Sequence, residues 1–214
     1  MSAHPFAGLK VVDLAETVAG EYLARLSADR GAGVRKLEPP AGSAPRHVGP
    51  WAGGVPGPET SLTFWLYNTG KRSLVLDLDA GAAEARLAPH LAGADLLVVT
   101  LPPARLAALG LDLDRLSAAH PGLIVVSITD FGLTGPWANW RTSHLTALAA
   151  GGPLHMCGYD DHSLPPVCPG GPQAHHTAAA FARIGALGAL IERQATGLGQ
   201  VLDVSIHSAN ALNT

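Results

Sequence analysis

Apolar residues along the chain fall into two alternating patterns. Short unbroken runs read as strands: LKVVDL at 9–14, VRKL at 34–37, SLVLDL at 73–78, DLLVVTL at 95–101, LIVVSIT at 123–129 and VLDVSI at 201–206. Runs of this kind suit strands buried on both faces. Between them the apolar spacing becomes helical. Tyr22, Leu23 and Leu26 share one helix face, and Gly31 and Gly33 follow it with the left-handed freedom a helix end uses. Helices are predicted over 80–91 and 144–150, with a helical turn at 61–66. Short helices at 103–109 and 112–119 are parted by Gly110. The longest is predicted over 174–194, stopped by Gly197 and Gly199, and another begins as the chain ends. Strand and helix alternate four times, which predicts an α/β fold: a mostly parallel sheet with helices on both faces. Two stretches rich in Gly and Pro, 42–59 and 151–173, lack periodicity and exceed most connectors, so each has a role of its own.

Composition narrows the class. The 214 residues are 47% hydrophobic but only 5% aromatic, so the core must be mainly Ala, Leu and Val. Lys plus Arg is 14 against 17 Asp plus Glu, a formal charge of −3. That balance reads neither as disorder nor as a basic nucleic-acid binder. Two cysteines form no disulfide framework and fit a reducing, cytoplasmic setting. No apolar run is long and clean enough to span a bilayer, and the first ten residues lack a signal-peptide core. Neither nucleic acid nor membrane is therefore expected as a partner.

Generic chemical motifs are scarce. The first strand–helix junction has no G-x-G-x-x-G, and neither a P-loop nor a G-x-S-x-G elbow occurs. Cys157, His162, Cys168 and His175 lack the tight pairs of a zinc site, and no metal is expected. Asn68, Lys71 and Arg72 form a turn that could hold phosphates or simply be a solvated basic turn. His175 and His176 open the long helix, where the helix dipole disfavours imidazolium. Each is either a neutral base or hydrogen-bonding group, or a structural cap.

Several segments together resemble the class III CoA-transferases, the family that includes formyl-CoA transferase, alpha-methylacyl-CoA racemase and carnitine CoA-transferase. They are GLKVVDLAETVAG, RLSADRGAGVRKLEPP, YNTGKRSLVLDL, ADLLVVTLPPARLAALGLD, HPGLIVVSITDFGLTGP and ALIERQATGLGQVLDVSIHSA, in family order and spacing. The resemblance implies a Rossmann-like domain and acyl-CoA as substrate, with no permanently bound cofactor. It also implies a carboxylic acid acceptor and an interlocked homodimer. By position, the family's CoA contacts fall on Thr17, Val18 and Ala19, on Glu38 and Pro39, and on Lys71 with Arg72.

Three positions depart from the family pattern. Gly20-Glu21 replaces a Gly-Pro, and Thr100-Leu101 replaces an Asn-Phe. His175 stands where the family keeps the aspartate that attacks the thioester, by the count back from Arg193 and Gln200. An imidazole cannot form the mixed anhydride that a carboxylate forms, but it can carry an acyl group or act as a base. His144 falls beside the racemase branch's histidine, so His144 and His175 form the candidate catalytic pair. Family chains are about twice as long. Residues 1–150 are thus expected to be the CoA-binding domain, and 151–214 to lead toward a second domain absent from this chain, which a complementary subunit would supply. The functional expectation is CoA transfer between carboxylic acids. The alternatives are a non-catalytic CoA-binding or structural subunit, and racemase- or lyase-type proton chemistry using histidine. Tyr22, Trp65, Trp137 and Trp140 either wall an acyl pocket or are ordinary packing residues at turns.

Overall fold

A computed structural model describes residues 4–161 and 163–213. Six strands are present: β1 (Lys10–Leu14), β2 (Gly33–Glu38), β3 (Arg72–Val75), β4 (Leu96–Val99), β5 (Ile124–Thr129) and β6 (Val201–Ser205). They lie in the order β3-β2-β1-β4-β5-β6, and every pairing is parallel. The helices are α1 (Val18–Ala28), α2 (Leu62–Asn68), α3 (Ala83–Leu91), α4 (Pro103–Leu109), α5 (Leu113–Ala119), α6 (His144–Gly151), α7 (Gln173–Thr196) and α8 (Ile206–Ala211). This is a doubly wound α/β sheet.

Alternate strand residues feed two separate cores. Val11, Val98, Ile124, Val126 and Ile128 face α1, α6, α7 and α8, while Val12, Leu97, Val99 and Val125 face α3, α4 and α5. β4 and β5 are buried along their whole length, as central strands must be, and β3 at the edge is exposed throughout. α7 buries a face of alanines (Ala174, Ala178, Ala182, Ala186 and Ala189), and small side chains let it lie close against α1 and β5. β6 thus extends the same sheet as residues 10–129, and α7 packs on its face.

Two differences from the sequence pattern have local causes. β3 ends at Val75, short of 78, because β2 is followed by Pro39 and Pro40, which have no N–H to extend the ladder. The 42–59 loop contains two 3-10 turns, Ala44–His47 and Ala52–Gly54, and the second loop contains another, Pro153–Met156. Among the described residues, no helix is long and apolar enough to cross a membrane.

Two glycines are required by close approach. A Cβ on Gly20 would lie 2.5 Å from both Ala15 Cβ and Thr100 Cγ2, so glycine lets α1 start tight against β1 and β4. A Cβ on Gly199 would lie 2.0 Å from the Leu123 carbonyl oxygen. Here the end of α7 docks on the segment before β5. Arg193 donates to the Gly122 carbonyl at 2.8 Å and to Asp95 at 2.9 Å, and Gly199 N–H donates to Pro121 at 2.6 Å.

Candidate functional site

β1 and β4 are neighbours, but the helices that follow them leave on opposite faces: α1 packs in one core and α4 in the other. Such a divergence opens a crevice beyond the carboxyl ends of the strands. A pocket of about 120 Å³ lies there. Thr17 at the start of α1, Thr100 and Pro102 after β4, Thr129 and Asp130 at the end of β5, and His175 in the first turn of α7 all line it.

His175 is the most telling of these. Its Nδ1 is buried and has no hydrogen-bond partner among the described residues, and neither has the hydroxyl of Thr129 on the same wall. Buried polar atoms are seldom left without partners, and both of these belong to residues that line the cavity. Burial pushes the His175 imidazole below the usual histidine value. The charge of Asp130 opposes that shift, and His144 and His176 reinforce it. The ring is therefore neutral at pH 7. Asp130 accepts from the Thr142 hydroxyl at 2.8 Å and from its amide at 3.2 Å, which closes the loop 130–142 over the pocket.

His144 sits at the start of α6, against the start of α7. Its Nδ1 accepts from the Ala174 amide at 3.4 Å and its Nε2 is 3.2 Å from the Pro169 carbonyl. Pro172 gives α7 no side-chain cap, so His144 caps it from a distance. His176 meets the Tyr67 hydroxyl at 2.8 Å and packs on Tyr22 at 4.5 Å between ring centres. That contact joins α2, and the turn after it, to the start of α7.

Thr17 caps no amide with its side chain, so the first N–H groups of α1, those of Val18 and Ala19, belong to an uncapped helix start beside the cavity. Glu38 and Pro39 line a second groove, of about 220 Å³, with Arg46 and Glu59. Burial would raise the Glu38 carboxyl. Hydrogen bonds from Arg46, Ser73 and the Ser43 amide prevail and bring it down to about 2. Arg72 is exposed.

Lys71 is placed differently from the expectation of a phosphate contact. Its ammonium is buried and donates to Asp13 at 2.7 Å, to the Glu21 carbonyl at 2.8 Å and to Asn68 at 2.8 Å. Burial draws its pKa below the usual lysine value, although Asp13 opposes this. Glu21, the residue standing where the family has proline, completes the group by pairing with buried Lys36 at 3.0 Å. All three donors of Lys71 are thus engaged inside the protein.

Asp130 and Thr142 were not singled out from the sequence, and nothing in it joined Asp13, Lys36, Glu21 and Lys71 into one group. Asp130 carried one readable signal: it directly follows an apolar strand of a parallel sheet, where ligands bind. Among the described residues, no three His, Cys, Asp or Glu side chains gather as a metal set, and His162 lies outside the described residues.

The pattern of CoA-transferase family III matches residues 6–212. The chain belongs to that family. It is 39% identical over 207 residues to succinyl-CoA:(R)-benzylsuccinate CoA-transferase subunit BbsE of Thauera aromatica, covering 97% of this chain and 50% of that protein. It is 35% identical to cinnamoyl-CoA:phenyllactate CoA-transferase of Clostridium sporogenes, covering 95% and 50%. The fold matches a CAIB/BAIF family protein from Brucella suis with a TM-score of 0.88 and 31% identity, over 98% of this chain and 55% of that one. The chain spans about half the length of the curated family members it matches.

Proposed function

We propose that this chain binds an acyl-CoA at the carboxyl edge of its sheet and takes part in moving CoA between carboxylic acids, as one subunit of a larger transferase. The observation that carries the reading is the buried, unpartnered Nδ1 of His175 in the switch-point cavity. Family membership supplies the reaction class, and a relative named as a subunit supports the assembly. The uncapped start of α1 at Thr17, Val18 and Ala19 would face the thioester end. Glu38, Pro39 and Arg72 would lie along the nucleotide, with Lys71 holding α1 and β1 in place rather than touching phosphate.

The neutral imidazole of His175 offers a lone pair to a thioester carbonyl or to a proton, but not an anhydride. Transfer through an anhydride needs a carboxylate. Asp130 lines this cavity, and the other source is a partner chain. Thr142 occupies both oxygens of Asp130, which favours as second reading a CoA-binding subunit with no chemistry of its own. Proton chemistry rests on His175, since His144 has both ring nitrogens engaged.

His175→Asp tests the reading. With an acyl-CoA and an acceptor acid, this variant is expected to gain CoA exchange or an acyl adduct trapped by hydroxylamine. CoA binding without either outcome, alone or with a co-purified partner, supports the second reading. Absence of CoA binding overturns both.

A further inference from the structure

The loop 130–142 is pinned at several points and still presents two indoles to solvent. Asp130 grips Thr142 at one end, the Ala104 amide donates to Asn139 at 2.9 Å, and Leu133 N–H donates to Asp203 at 2.8 Å. On this fixed base Trp137 and Trp140 stack with ring centres 5.6 Å apart and planes 21° from parallel. Phe131 supports both edge-on, at 5.7 and 6.2 Å, and His207 closes the cluster. Trp137 remains 47% exposed and Trp140 59%. An aromatic pair held this rigidly and left half bare is unlike ordinary core packing, where such area would be covered.

The shelf is continuous with the cavity, because Trp140 also lines it beside His175. The next residue, Arg141, lines the same cavity and makes no ion pair among the described residues. A flat apolar shelf thus adjoins a free guanidinium and a neutral imidazole. Tyr22 and Trp65 take no part: Tyr22 packs on His176, and the Trp65 indole donates to the Glu59 carbonyl at 3.1 Å.

We infer that the acid handled at this site ends in an aromatic ring, which lies on the Trp137–Trp140 shelf while its carboxyl carbon sits in the cavity beside His175. As a free acid, its carboxylate pairs with Arg141. This rests on the acyl-CoA reading above and specifies the acyl class. A ring on an indole face adds stacking that an alkyl chain of similar length lacks.

The test compares matched ligands by calorimetry and indole emission: CoA, hexanoyl-CoA and 3-phenylpropionyl-CoA, and then hexanoate and 3-phenylpropionate as free acids. The aryl ligand of each pair is expected to bind about tenfold tighter. The ratio should fall toward one in Trp137→Ala and Trp140→Ala and largely persist in Trp140→Phe. Arg141→Gln should weaken the free aryl acid several-fold. Equal affinities within each wild-type pair overturn the inference, and so does a ratio unchanged by the tryptophan substitutions. Indole emission that responds to protein concentration but not to ligand also overturns it, since a second copy then covers the shelf. If neither CoA nor its thioesters bind, the acyl-CoA reading fails, and the free acids still decide the shelf.

Discussion

Glu38 and Lys71 show how a side chain's partners decide what its charge can do. Glu38 ends β2 in a buried position, with Arg46 Nε 2.6 Å away and the Arg46 guanidinium lying 3.7 Å over the Phe64 ring. Removing Arg46 leaves that carboxylate buried with fewer donors. Arg46→Ala is expected to cost about 3 kcal/mol in urea unfolding. The pH dependence follows in sign. A carboxyl at about 2 in the folded chain against 4.5 ordinarily contributes stability above pH 4.5, and that stability is lost as pH falls toward 2. His175, with its pKa depressed by burial, contributes above the ordinary histidine value of 6.5 and loses its contribution as pH falls through its lower folded value. Wild-type urea midpoints should therefore drop in two stages on acidification. Arg46→Ala should blunt the lower stage and His175→Gln the upper, and unaltered profiles in both variants would refute the assignments.

At the scale of elements, the long helix is fixed at both ends by different means. Its start is held by His144 and by the Tyr67–His176 contact, and its end by Arg193 and the close approach at Gly199. Arg193 and Gly199, which follow the family pattern in the sequence, position the helix whose first turn carries His175. Gly199→Ala would push a Cβ into backbone, which cannot move aside as a flexible side chain can. It is expected to cost about 3 kcal/mol and to lower the thermal midpoint. A midpoint equal to wild type would show that the turn relaxes freely.

For the whole molecule, the sheet runs through every segment that carries the site. β6 pairs with β5 over five residues, and α7 packs on α1. Residues 173–211 therefore share their core with residues 10–129 and are expected to unfold with them. Far-UV circular dichroism and tryptophan emission should trace one common urea transition. Two separated transitions would show that the segment is an independent unit.

The periodicity of apolar residues determined the six strands and the helices, and their alternation a mostly parallel sheet, because buried parallel strands and amphipathic helices each impose their own spacing. It also marked His175 at the opening of the long helix. What the sequence could not determine was which side chains meet. Lys71 stood in a basic turn, and only the packing of α1 and α2 on β1 turned its ammonium inward to Asp13. Asp130 and His175 are 45 residues apart in sequence and reach one cavity only because β5 ends and α7 begins at the same edge of the sheet. Trp137 and Trp140 were, with Tyr22 and Trp65, either walls of an acyl pocket or ordinary packing in the sequence, and the Asp130–Thr142 clasp and the Asn139 contact stack this pair beside that cavity. Local spacing records the energy of burying a face, whereas the pairing of distant polar groups depends on how those faces are brought together.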